Sequence, residues 1–253
     1  MSTAEPLVDP STIPPRGDTD LVRVYVWEWP VRLVHWLIVF SMVVLSVTGI
    51  YIGNPFIISP GEARFLFVMG TMKTIHSYAA IVFTLSVFAR VGWMFIGNSY
   101  SRWDKFLPVR RRRRSGVIPS VKFYLFALRK PPGFVGHNPL AGMAYTLVFL
   151  LYFTMIGTGF ALYSISANVH SPMRIFSFLL PFFGGAQSAH WIHHVVMWLL
   201  WGFVVHHVYS AILMSQVEGN ATMESIFSGY KFVQRDDVIY SGYRFLDKRD
   251  SDV

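Results

Sequence analysis

Residues 190–215 read HWIHHVVMWLLWGFVVHHVYSAILMS, and this stretch decides the architecture. Crossing the hydrocarbon layer of a bilayer, about 30 Å, takes roughly 20 helical residues, and this run is long and apolar enough to do so. Yet it carries His190, His193, His194, His206 and His207. Imidazole is expensive inside a membrane, so such residues mark function by default. At about 100° per residue, the fourteen residues from His193 to His207 leave the two side chains roughly 40° apart on one face and about 21 Å apart along the axis. His190 and His194 fall well away from His207, and neither His190 nor His193 aligns with His206.

Three further stretches have the same character: 31–53 (VRLVHWLIVFSMVVLSVTGIYIG), 71–96 (TMKTIHSYAAIVFTLSVFARVGWMFI) and 141–163 (AGMAYTLVFLLYFTMIGTGFALY). Of the 253 residues, 53% are hydrophobic and only 14% charged, whereas a soluble domain carries about a quarter charged residues. Helices buried in a soluble bundle would need polar faces, and these segments lack them. The expected fold is therefore an all-α membrane protein, a bundle of four transmembrane helices. The chain contains no cysteine, which excludes disulfides, thiolate zinc sites, covalently attached c-type haem and cysteine-held iron–sulfur clusters. Any redox centre must hang on histidine or methionine.

The net charge of +8 is unevenly placed. Arg102, Lys105, Arg110 to Arg114, Lys122, Arg129 and Lys130 lie between the second and third spans. Arg16 and Arg23 precede the first span, while Lys231, Arg235, Arg244, Lys248 and Arg249 follow the last. The connections 54–70 and 164–189 hold only Arg64 and Arg174. The positive-inside rule then puts both termini and the 97–140 connection in the cytoplasm. Residues 1–24 read as a polar cytoplasmic segment with Pro14-Pro15 and no secretory signal, 25–215 as the membrane domain, and 216–253 as a cytoplasmic tail. Beside a span, the run Arg110–Arg114 suits anionic lipid better than nucleic acid; no more specific role is assigned to it. Trp27, Trp29, Trp36, Trp93, Tyr25 and Tyr100 sit near span ends, as an interfacial belt requires. Pro172–Gly184 is apolar but short and broken by Pro181, so it reads as an interfacial or re-entrant piece. No internal repeat stands out.

His193 begins its span and His207 lies near the other end, so each invites a partner at matching depth. With alternating span directions, His76 lies at the level of His193 and His35 at the level of His207. Four imidazoles at two levels read as axial ligands of two b-type haems, paired His76/His193 and His35/His207. His190 and His194, at i and i+4, could hold zinc, but no carboxylate or cysteine completes such a site. His206 points elsewhere, toward a haem propionate, a quinone or another helix. Gly49 lies fourteen residues after His35 and would admit a porphyrin or a close helix neighbour; Gly157, Gly159 and Gly202 share that ambiguity. Arg90, the cation well inside a span, could snorkel or pair with a propionate. No Asp or Glu falls in any span, which weighs against a proton- or metal-coupled transporter.

YVWEWPVRLVHWLIVFSMVVLSVTGIYIG (25–53), GHNPLAGMAY (136–145) and SAHWIHHVVMWLLWGFVVHHVYSAI (188–212) together resemble the b-type cytochrome subunits of membrane-bound nickel–iron hydrogenases, within the cytochrome b561 group. The similarity runs from about Tyr25 to Tyr230. It implies a multi-pass anchor in the bacterial inner membrane for a periplasmic hydrogenase. The iron–sulfur small subunit, and through it the large subunit, would pass electrons to the outer haem, then the inner haem, then membrane quinone. The family's haem ligands fall on His35, His76, His193 and His207. The related formate dehydrogenase subunits imply a quinone beside the loop entering the third span, hence His137 and Asn138 as contacts, with a turn role for Asn138-Pro139 equally open. Connections 54–70 and 164–189, with Arg64, Arg174 and the run Phe176–Phe183, are the expected docking surface. The alternatives are the same wire serving formate dehydrogenase or thiosulfate reductase, and a haem-free histidine-lined transporter or passive anchor.

Overall fold

The computed structural model describes residues 21–56, 67–108, 111–125, 127–128, 134–219 and 221–234. Arg16, Arg64, Arg110, Arg129, Lys130, Arg235, Arg244, Lys248, Arg249 and the Pro14-Pro15 pair lie outside the described residues, and so does most of the 1–24 segment.

In chain order the elements are β1 (Leu21–Tyr25), α1 (Trp29–Gly53), α2 (Val68–Ile96), α3 (Arg111–Tyr124), α4 (Pro139–Ser166), α5 (Leu179–Phe182), α6 (Ala186–Glu218), α7 (Ser225–Ser228) and β2 (Tyr230–Gln234). Short 3₁₀ turns occupy Trp103–Lys105 and Pro172–Phe178. Among the described residues, α1, α2, α4 and α6 are the helices long and apolar enough to cross a membrane. Each contains one expected span and extends it by a few residues at one or both ends. Large side chains along them face outward: Phe40, Leu85, Leu147 and Trp198 are all more than half exposed. In water such a surface would drive aggregation; against lipid chains it is matched. Pro172–Phe182 forms only short turns, too short to cross.

Hydroxyls inside these helices satisfy themselves. Ser41 donates to the Leu37 carbonyl (2.6 Å), Ser46 to Met42 (2.8 Å), Thr48 to Val44 (2.7 Å) and Thr158 to Thr154 (2.8 Å). Returning the hydroxyl proton to the carbonyl one turn back is how serine and threonine tolerate an apolar setting.

The chain divides into two compact units. The first holds the described parts of Met1–Arg32, Val91–Leu147 and Val204–Val253; the second holds Leu33–Arg90 and Val148–Phe203. In the first, β1 pairs antiparallel with β2, from Leu21 opposite Gln234 to Tyr25 opposite Tyr230. Val22, Val24, Val26, Trp27, Val31, Tyr100, Val135 and Val233 form its core. The backbone amides of Val26 and Trp27 donate to the Gly229 carbonyl at 2.8 and 3.1 Å. Gly229 has φ +88°, and a Cβ there would stand 2.6 Å from the Tyr25 ring and 2.8 Å from the Trp27 carbonyl, so both conformation and space require glycine. Trp27 donates from Nε1 to Ser225 Oγ (3.0 Å), and Arg32 donates to the Phe227 carbonyl. Glu28 accepts from Trp93 Nε1 and from the Asn98 amide, both at 2.8 Å. Residues 21–25 and 230–234, assigned from sequence to separate ends of the chain, are thus joined in this unit by a two-stranded sheet.

Candidate functional site

The second unit carries His35, His76 and His193. His76, on α2, brings Nδ1 to 2.8 Å from Thr48 Oγ1 on α1. His193, on α6, does the same with Thr158 on α4, also at 2.8 Å. A threonine hydroxyl has one proton, and both threonines already direct it to the carbonyl one turn back. The arrangement that satisfies every contact therefore has each Nδ1–H donating to threonine oxygen. Nδ1 protonation leaves the lone pair on Nε2, the nitrogen that faces away from the threonine. His76 and His193 also lie within electrostatic reach of each other.

The glycine next to each threonine lies against the ring, closely at Gly49 and at ordinary contact distance at Gly159. A Cβ on Gly49 would lie 3.3 Å from His76 Cε1, and one on Gly159 would lie 3.5 Å from His193 Cε1. Gly49, read from sequence as admitting a porphyrin or a close helix neighbour, thus lies against the His76 ring. Gly157 faces Phe183, whose Cζ would be 3.2 Å from an added Cβ, while Gly202 has open space. His35 stands edge-on to Trp36, ring centroids 5.5 Å apart. Arg90 is buried at 8% exposure. His190 and His194 approach at 4.6 Å between centroids, and among the described residues no group of three or more His, Asp or Glu is placed to hold a metal ion.

The first unit carries His137, Asn138, His206 and His207. The His137 ring is packed by Tyr145 (4.6 Å), Trp27 (4.7 Å) and Phe106 (5.8 Å between centroids). Tyr145 reaches on to His207, its hydroxyl 3.2 Å from Nδ1. Asn138 is the N-cap of α4: its Oδ1 accepts from the Ala141 amide at 2.7 Å, Pro139 opens the helix, and its Nδ2 donates to the Tyr124 hydroxyl at 3.3 Å. Its amide is therefore engaged at both ends, and its visible work is to hold the loop that presents His137. His206 is exposed, with Ser210 Oγ 3.4 Å from its Nε2.

Arg113 and Tyr100, read from sequence only as members of an arginine run and of an interfacial aromatic belt, are buried here. Arg113, one of five consecutive arginines, is buried and donates from Nη2 to the Lys105 carbonyl (2.6 Å) and the His137 carbonyl (3.1 Å). Gly142 lets that crossing close, since a Cβ would lie 2.4 Å from the Lys105 carbonyl. Beneath the same loop Tyr100 is 4% exposed, and burial drives its phenol pKa well above the ordinary value, so it stays neutral.

In the connection after α4, Phe176 stacks on Phe160 at 4.6 Å and Phe183 covers Gly157. Ile175, Phe178 and Phe182 remain exposed at 72%, 63% and 79%, beside exposed Arg174. Within the run Phe176–Phe183, the exposed aromatic side chains are thus Phe178 and Phe182.

Residues 26–229 match the family described as prokaryotic cytochrome b561. The chain is 40% identical over 220 residues to the probable Ni/Fe-hydrogenase 1 B-type cytochrome subunit of Escherichia coli K12, covering 84% of this chain and 92% of that protein. It is 39% identical over 210 residues to the probable Ni/Fe-hydrogenase B-type cytochrome subunit of Cupriavidus necator, covering 82% and 86%. The protein of that name from Rhodobacter capsulatus is 31% identical over 232 residues, covering 88% of each.

Proposed function

The chain belongs to the prokaryotic cytochrome b561 family, and from that premise we propose that it is the b-type cytochrome subunit of a membrane-bound nickel–iron hydrogenase, anchoring the enzyme and passing its electrons to quinone. The observation that carries this reading is the pair His76 and His193, each with Nδ1 tied to a threonine and Nε2 left for a metal. That donor set suits haem: neutral imidazoles, no competing carboxylate, and a glycine beside each ring. His35 and His207 form the second pair, supported by helical spacing and, for His207, by the Tyr145 hydroxyl at Nδ1. Two bound haems would supply one-electron carriage through an apolar layer that offers electrons no carrier of its own.

The protein's own residues do the rest. Apolar helices exclude water and lower the dielectric around both histidine pairs. Arg90, buried in α2, offers a cation to a propionate. His137, held between Trp27, Phe106 and Tyr145, offers an aromatic-walled site with one ring able to give or take a proton at a quinone oxygen; Asn138 and Arg113 hold its loop, and exposed His206 is a second candidate. Hydrogen oxidised in the partner yields two electrons and two protons; quinone takes up two of each to become quinol.

The distribution of basic residues places both termini in the cytoplasm and the enzyme on the opposite, periplasmic side of the inner membrane. Arg174, Ile175, Phe178 and Phe182 then face the hydrogenase small subunit. If quinone draws its protons from the cytoplasm while hydrogen releases its own outside, turnover separates charge. With the whole complex in sealed vesicles and a potential-sensitive dye, hydrogen-driven quinone reduction builds a membrane potential that an uncoupler abolishes. Quinone reduction with no potential would reject this orientation.

A further inference from the structure

The two threonine–histidine contacts are one device used twice. On α1 the sequence is Leu45-Ser-Val-Thr48-Gly49; on α4 it is Met155-Ile-Gly-Thr158-Gly159. In each copy the threonine oxygen meets Nδ1 of the incoming histidine at 2.8 Å, the threonine hydroxyl also reaches the first residue's carbonyl, and the glycine lies against Cε1. In each copy the histidine comes from the next long helix, α2 for the first and α6 for the second. The threonine also spends its proton identically, on the carbonyl one turn back, at 2.7 Å in one and 2.8 Å in the other. A single contact of this kind would be ordinary packing. Two copies, matched in spacing, atoms and distance, and serving two histidines within electrostatic reach of each other, require a common purpose.

We propose that Thr48-Gly49 and Thr158-Gly159 are paired positioning sites that fix the Nδ1–H tautomer of His76 and His193, aim both Nε2 atoms at one haem iron, and set that haem's potential from both sides. This rests on the haem-binding reading above. An outer partner that accepts from Nδ1–H makes the imidazole a stronger electron donor and fixes its ring plane. A stronger donor favours ferric iron, so two such partners hold this haem at a lower potential than histidines without them. Leucine or valine in place of either threonine would keep the apolar volume and lose the acceptor.

The test uses the purified full-length chain with haem bound, read by optical redox titration and by the low-spin electron paramagnetic resonance signals. Thr48→Val and Thr158→Val each shift the midpoint of the same haem upward and change its resonance positions, while the other haem stays where it was. The double variant shifts further than either single one, and Thr48→Ser and Thr158→Ser restore the wild-type values because they restore the oxygen. Loss of one haem in a valine variant, with retention in the serine variant, supports the same conclusion. Midpoints and resonances unchanged in both valine variants would overturn the inference, as would shifts in two different haems, or equal haem loss in the valine and serine variants. A haem-free wild-type chain would defeat the underlying haem reading instead, so the two failures are told apart.

Discussion

Replacing His193 with alanine removes one haem from the protein and leaves the other, and replacing His76 removes that same haem. His35→Ala and His207→Ala each remove the second one. Loss of an outer hydrogen-bond partner costs roughly 10- to 100-fold in metal affinity, and loss of an axial ligand inside hydrocarbon must cost more, because no water stands ready to replace it. Hydrogen-driven quinone reduction accordingly falls to background in all four variants. The informative quantity is which variants share a spectrum. Haem content and reduced-minus-oxidised spectra of the four purified proteins check it. The same residual haem in His76→Ala and His193→Ala, differing from that in His35→Ala and His207→Ala, is the expected grouping; any other grouping overturns the pairing.

Replacing His137 with leucine separates the two ends of the wire. The ring lies against Tyr145 at 4.6 Å, and Tyr145 meets His207 Nδ1 at 3.2 Å, so the proposed quinone contact is one residue removed from a proposed haem ligand. A positioned group that transfers protons typically contributes about 10²- to 10⁴-fold in rate. His137→Leu keeps the apolar packing against Trp27 and Phe106 and loses the proton carrier. The expected result is a fall of at least about 100-fold in quinone reduction, with both haems still bound and still fully reduced by hydrogen through the partner. Stopped-flow spectra of haem reduction, set beside steady-state quinol formation, measure the two halves separately. Wild-type quinol formation in this variant would remove His137 from the site. Slowed haem reduction by hydrogen would instead place His137 in the path from the enzyme.

The spans were legible because a helix in lipid must be apolar all round for some twenty residues, a signal that needs no tertiary information. The proposed histidine levels rest on a signal of the same kind: along a straight helix, spacing is depth. What escaped the sequence reading depends on pairing between distant segments. β1 and β2 are five residues each and lie about two hundred residues apart in the chain, and neither has enough length or alternation to announce a strand before its partner is known. Thr48 and Thr158 carry no signal in the sequence: each bonds within its own helix, and only the approach of α2 and α6 turns the same oxygens into acceptors for histidine. The repeated Thr-Gly pair was visible as two dipeptides, but nothing local distinguishes it from small-residue packing. Arg113 could not be picked from four identical neighbours, since what sets it apart is the pair of carbonyls it reaches. Asn138 was read as a quinone contact or a loop turn; the helix-start signal of Asn before Pro was present in the sequence, and the structure uses it as the N-cap of α4.

In the proposed arrangement, four histidines on three helices hold two iron porphyrins. Pyridine haemochrome absorbance against protein concentration, on the purified, folded chain, measures this as a stoichiometry. The expected value is two b-type haems per chain; a correctly folded, helical preparation carrying none, or only one under haem-replete expression, would rule the arrangement out.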